Sequence, residues 1–201
     1  RYSFGNQPKI IKWNISRFAE TLLPIIHQNK EKSLKLAQSV IDNFDDLWNK
    51  KYYEMMLNKI GIQHKNKMLY ALVDELLHFM ERFNQDYNNT FWSLSQDNFL
   101  KNTLMNNSAF ITWHKKWQKN LNKFSNMKKA KDLMKKNNPI VIPRNHLVEE
   151  AIEEAGNGNI NSFQKLLNVI SSPYKQQYNL DKFMKPPKAS FEEHFKTYCG
   201  T

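Results

Sequence analysis

Leu69-Tyr70-Ala71-Leu72-Val73-Asp74-Glu75-Leu76-Leu77-His78-Phe79-Met80-Glu81-Arg82-Phe83 is the stretch that decides the fold class. Leu69, Leu72, Val73, Leu76, Met80 and Phe83 recur at i, i+3, i+4 and i+7, the spacing that lines one side of a helix. The periodicity predicts a helix over about Lys65 to Arg82, with this stripe as the centre of a core. Working outward, Ile11, Ile15, Phe18 and Leu22 form a second stripe, started by Pro8 and stopped or kinked near Leu23 by Pro24. Lys32 to about Ile60 reads as helix broken at Asn43-Phe44-Asp45, with Asp45 as a candidate cap and Gly61 as the closure. Further helices are predicted at Thr90–Met105, at Ala109–Asn122 with a charged extension over Lys128–Lys136, at Asn145–Ala155 and at Ile160–Ser171.

Five glycines, no sustained period-two alternation and no hairpin dipeptide leave little room for a sheet. The expected fold is all-α: one helical domain over 1–201, with a main body at 1–137, a connector and two helices at 138–171, and a helix-poor tail at 172–201. Asn138-Pro139 and Pro143 make the connector extended, and Pro173, Pro186 and Pro187 interrupt the tail. No apolar run approaches the roughly 20 residues of a membrane span. One cysteine, Cys199, excludes an internal disulfide or Cys-based zinc site and suits the cytoplasm. A start at Arg1 reads as a piece of something longer.

The net charge of +11 raises a nucleic-acid reading, which its makeup weakens. The chain has 26 Lys and only four Arg, the residue that makes bidentate phosphate and base contacts, and 25 Asn. Joint Lys and Asn enrichment points to compositional bias. Lys115–Lys136 packs nine Lys around Trp117 and Phe124, as a single-strand groove would. Yet Trp113, Trp117, Leu121 and Phe124 share one stripe while most of the lysines lie elsewhere, so a core stripe beneath a solvated face is the stronger reading.

Catalytic constellations are sparse. Glu75 and His78 have the Glu-x-x-His spacing of di-iron bundles but no second copy. His146 and Glu150 have metal-ligand spacing but sit in a first turn, where capping and pairing are ordinary. Gly156 and Gly158 lack the Lys-Ser/Thr of a phosphate loop. No nucleophile–base pair is visible.

Two end segments carry more. Arg1-Tyr2-Ser3-Phe4-Gly5-Asn6-Gln7-Pro8, with Trp13, Asn14, Ala19 and Leu22, resembles a conserved stretch of the SelO/YdiU family of kinase-like proteins. Asn138-Pro139, Pro143-Arg144-Asn145-His146, Ala151-Ile152, Leu166-Leu167, Pro173-Tyr174, Pro186-Pro187 and Thr197-Tyr198-Cys199-Gly200-Thr201 resemble its C-terminal part in order and spacing. The resemblance implies a protein that binds ATP in an inverted orientation on a kinase-like fold. Such proteins transfer AMP, or in some members UMP, to protein hydroxyls with magnesium or manganese. The family's nucleotide lysine, catalytic Asp and Asn, and metal-binding Asp-Tyr-Gly all precede the stretch matched by Arg1. No catalytic, cofactor or metal residue is therefore carried over.

The expected role is late C-lobe helices plus a family-specific helical extension, inactive alone, supporting a catalytic lobe and its protein substrates. Arg1, Asn6 and Gln7 would lie nearest the active-site lobe. Cys199 is the candidate redox residue, at a place where some relatives carry a reactive cysteine or selenocysteine. The alternative is a stand-alone basic module binding nucleic acid or acidic proteins through Lys115–Lys136.

Overall fold

A computed structural model describes residues 4–64, 66–99 and 102–196. It is all-α, with no strand among the described residues. The chain divides into two compact units, Arg1–Met55 and Met56–Thr201, with the boundary inside a helix.

In the first unit α1 (Gln7–Ile26) begins with Pro8 in its first turn and carries Pro24 inside its last. Of the expected stop or kink near Leu23, the stop does not occur: a proline this close to the end removes one ladder bond, and the helix runs on to Ile26. α2 (Lys30–Asp42) is capped by Asn29, whose Oδ1 accepts from the Lys32 N–H at 3.0 Å. It packs on α1, with Ser33 Oγ donating to the Leu23 carbonyl at 2.5 Å. α3 (Phe44–Lys59) follows the expected break, but Asn43, not Asp45, precedes it, and the Leu47 N–H bonds the Asn43 carbonyl at 3.1 Å. Asp45 instead sits in the first turn and pairs with Lys12 at 2.6 Å.

The second unit holds the core. α3 ends in a Schellman closure: Ile62 N–H bonds the Leu57 carbonyl at 2.9 Å and Gly61 N–H that of Asn58 at 3.0 Å, with Gly61 at φ +77°. α4 (Tyr70–Arg82) buries Leu72, Val73, Leu76 and Met80 as the stripe requires, while Phe83 is only half-buried. It starts later than predicted, because Asn66 caps a 3-10 turn at Lys67–Leu69 by accepting from Met68 N–H. α4 closes through Asn84 at φ +48°, with Gln85 N–H on the Met80 carbonyl at 2.8 Å.

α5 is Tyr87–Ser93, shorter than the predicted Thr90–Met105. Asp86 caps it early, and Ser93 and Ser95 hydroxyls donate to the Thr90 and Trp92 carbonyls at 2.8 and 2.7 Å, diverting acceptors that helix propagation needs. A 3-10 turn at Thr103–Asn106 precedes α6 (Ser108–Phe124). α7 (Met127–Asn137) is a separate helix, not an extension, since Ser125 is extended and Asn126 starts a new one. α8 (Asn145–Gly156) and α9 (Asn161–Ile170) form a hairpin around Leu147, Ala151 and Leu166. The tail contains two short helices, α10 (Asp181–Met184) and α11 (Ala189–His194).

Asparagine has a structural use that composition hides. Asn29, Asn66, Asn102, Asn107 and Asn126 each cap a helical turn with a side-chain bond to a following N–H.

Candidate functional site

α5 and the connector 138–144 hold a cluster of buried polar residues, Asn88, Asn138 and Arg144. Connectors normally run over the surface, where water satisfies their backbone groups. Here Asn138, Ile140, Val141 and Arg144 are buried. Their polar groups must therefore be met by protein.

Asn138 Nδ2 donates to the Lys59 carbonyl at 2.8 Å and the Phe91 carbonyl at 3.4 Å, and its Oδ1 accepts from Lys59 Nζ at 3.2 Å. Asn88 Nδ2 donates to the Pro139 and Ile140 carbonyls at 3.1 and 3.4 Å. At the far end the Arg144 fork meets both oxygens of Asp86, at 2.8 and 3.0 Å, and reaches Asn89 Oδ1 at 3.4 Å. Asp86 Oδ1 also accepts from Asn89 N–H at 2.8 Å, so one carboxylate caps α5 and anchors the connector.

Electrostatics agree with an anchoring role. Burial works against ionisation of Asp86, but the Arg144 hydrogen bonds, the Asn89 N–H and the Arg144 charge together outweigh it and hold the carboxyl below its ordinary value. Burial pushes the Lys59 ammonium down. A depressed lysine can mark a nucleophile. Lys59 Nζ, however, is committed to Asn138 Oδ1 and to the Asn137 carbonyl at 3.3 Å, and faces the Tyr87 and Phe91 rings at 5.5 and 5.1 Å. Those acceptors and π faces favour the charged, non-nucleophilic form.

The residues singled out from sequence fall in separate places. Arg1 and Cys199 lie outside the described residues. Asn6 is exposed at the start of α1 without a side-chain cap bond, and Gln7 opens the helix. Glu75 binds Lys116 at 2.9 Å and His78 Nδ1 meets the Asp74 carbonyl at 2.9 Å. His146 is held below its ordinary value by burial first and by the Arg144 charge second, and Glu150 pairs with Lys182 at 2.5 Å. In the basic segment, Trp113 and Trp117 are buried, their indole N–H groups donating to the Leu72 and Ile60 carbonyls at 2.8 Å each. Phe124 is exposed, its ring tilted against that of His64 with centroids 4.1 Å apart.

A nucleotide with its metal needs carboxylates free to ligate and cations free to meet phosphates. Asp45, Glu75, Asp86, Asp97 and Glu150 are each paired with a cation, and among the described residues no three His, Cys, Asp or Glu stand together as a metal would need. Sequence reading quoted Asn138 and Arg144 as markers without a role, and missed Lys59, Asp86, Asn88 and Asn89. Asp86 carried one local signal, an N-cap residue ahead of an aromatic helix.

Fold and polar cluster together define an all-α region in which buried side chains tie α5 to the connector. Compared with known proteins, residues 1–171 match the family described as protein adenylyltransferase SelO, and the chain belongs to that family. It is 42% identical to the protein nucleotidyltransferase YdiU of Clostridium beijerinckii over 202 residues. It is 40% identical to that of Pelagibacter ubique over 202 residues and 39% to that of Bacillus cereus over 203. Each alignment takes in 100% of this chain but only 41–42% of the relative, so the chain spans about two fifths of the length of the curated relatives it matches.

Proposed function

We propose that residues 1–201 are the C-terminal helical region of a protein nucleotidyltransferase, supporting a catalytic lobe and its protein-substrate surface rather than performing the transfer. The observation that carries this is the end-to-end alignment with two fifths of proteins named for that activity. Asn138 and Arg144, two of the residues that carry the family resemblance, sit in the buried latch that ties α5 to the connector, which supports a scaffold reading. In this reading the companion lobe would bind a nucleoside triphosphate with Mg or Mn, which would offset developing charge, and a protein hydroxyl would take AMP from ATP, or UMP from UTP, with pyrophosphate leaving. Arg1, Asn6 and Gln7 lie toward that lobe, Cys199 serves redox control, and the protein is bacterial and cytoplasmic. No helix of the described residues is long and apolar enough to cross a membrane.

Nucleotide transfer by the full-length polypeptide, by the same polypeptide lacking 1–201, and by 1–201 alone tests the proposal. Transfer is expected from the first only. Robust transfer by 1–201 alone overturns it. Asn6→Ala with Gln7→Ala in the full-length protein should lower transfer without lowering stability; no change removes those residues from the site. For Cys199, peptide mass spectrometry of oxidised full-length protein should show a Cys199-linked peptide, and its absence removes the redox role.

The alternative, nucleic-acid binding through Lys115–Lys136, loses one of its two stacking aromatics, since Trp117 is buried with its indole N–H on the Ile60 carbonyl, while Phe124 is exposed. Filter binding over a salt series separates the readings, since tight and steeply salt-dependent retention belongs only to the alternative.

A further inference from the structure

A cavity of about 150 Å³ opens between the turn at 94–99, α6 and α7. Leu94, Phe99, Trp117 and Met127 wall it, and His114 completes the wall. His114 is only 4% exposed, with the Phe99 and Trp117 rings centred 5.3 and 5.2 Å from its own. No described residue hydrogen-bonds its imidazole, which burial pushes toward the neutral form. A buried polar group without a protein partner needs one from elsewhere. The cavity that the ring lines is where such a partner can sit. The charged groups beside it are already engaged, since Lys131 Nζ meets Asp97 Oδ1 at 2.7 Å.

These features narrow the chemistry of an occupant. An apolar cavity of about 150 Å³ takes one benzene-sized ring. A hydrocarbon ring would leave His114 unpaired, at the cost that any stranded buried polar group carries. A carboxylate or an ammonium would enter an apolar site without a free counter-charge, because Lys131 and Asp97 face each other. A neutral imidazole offers one donor and one acceptor, and an aromatic hydroxyl, un-ionised at about pH 7, can meet either. We propose that this cavity is a binding site for a single phenol ring, seated among Phe99, Trp117 and Met127 with its hydroxyl on His114. The phenol can arrive as a free small molecule or as the tyrosine side chain of another protein, since the recognising chemistry is the same. Binding here is separate from nucleotide transfer and is read without it.

The test uses the full-length polypeptide carrying ¹³C-methyl methionine, with the Met127 methyl resonance, identified by its loss in Met127→Leu, as a reporter inside the cavity. Titration with p-cresol should shift that resonance saturably, with a dissociation constant on the order of 1 mM for a ligand of so few atoms. Toluene has nearly the same shape without the hydroxyl and should bind at least about fivefold more weakly, the loss of one hydrogen bond. His114→Phe should bring p-cresol down to the toluene value while toluene binds as before, which shows the cavity still formed. The comparison of the two ligands in the unaltered protein stands whether or not that variant folds. A Met127 resonance that p-cresol leaves in place overturns the proposal. Equal affinity for p-cresol and toluene overturns it too, as does a His114→Phe protein that still prefers p-cresol. Where p-cresol binds, the peptide Gly-Tyr-Gly identifies the source: a shift of the same methyl supports a tyrosine side chain, and no shift supports a free phenol.

Discussion

Arg144 grips both carboxylate oxygens of Asp86 in a planar fork, at 2.8 and 3.0 Å, while the same carboxylate caps α5 through the Asn89 N–H. Breaking a buried pair from one side leaves a charge without its partner. Arg144→Ala should cost about 2–4 kcal/mol in urea unfolding, and Arg144→Lys about 1–2, since an ammonium cannot reproduce the fork. Asp86 is held below its ordinary carboxyl value of 3.8, so its contribution is complete above that pH and is lost as pH falls below it toward the folded value. Asp86→Asn should flatten that acid limb. An unchanged limb removes the pair from the account of acid stability.

Asn138 makes contacts to Lys59 and Phe91 that no apolar residue can replace. Asn138→Ala should cost about 2–3 kcal/mol, because it takes one of two acceptors from the Lys59 ammonium and the side-chain donor from the Lys59 and Phe91 carbonyls. Lys59→Met on that background should cost less than on the wild type, since the two groups serve each other. Strict additivity in the double-mutant cycle would show that they do not.

His114 is buried among Phe99, Phe110 and Trp117, with ring centroids at 5.3, 6.2 and 5.2 Å. Burial pushes it below its ordinary value of 6.5, so the folded state favours the neutral ring. Its contribution is therefore complete above about pH 6.5 and declines as pH falls from there toward the folded value. Thermal unfolding between pH 7.5 and 5 should show the decline, and His114→Gln should reduce its slope. His146 shifts in the same direction and leaves a residual slope. An identical slope in wild type and His114→Gln would assign the effect elsewhere.

Gly61 combines φ +77° with a place for a Cβ only 2.9 Å from Ala130 Cβ and 3.0 Å from the Ala130 carbonyl oxygen. Gly61→Ala should destabilise by about 2–4 kcal/mol in chemical denaturation, from left-handed strain plus overpacking against α7. Gly158, at φ +85° with nothing within 4 Å, isolates the strain: Gly158→Ala should cost about 1 kcal/mol. Equal losses at the two positions would mean that the approach to Ala130 relaxes freely.

Helix class and the α4 and α6 stripes were legible because periodicity is local: Leu72, Leu76, Trp113 and Trp117 announce their side of a helix within a few residues and find it buried. The two end motifs identified the family for a related reason, since residue identity and spacing survive without any knowledge of contacts. Helix ends were less legible, as at Ser93–Ser95, where side-chain hydroxyls compete with the backbone ladder. Tertiary structure alone decided the rest. Lys59 and Asn138 stand 79 residues apart, and Asp86 and Arg144 stand 58 apart, so no local pattern pairs them. It also divided two similar-looking stripes: α4's closes over a core, while in α1's Ile11 and Leu22 are half-buried and Ile15 and Phe18 exposed, because a helix's period states which side is apolar but burial depends on what arrives to cover it.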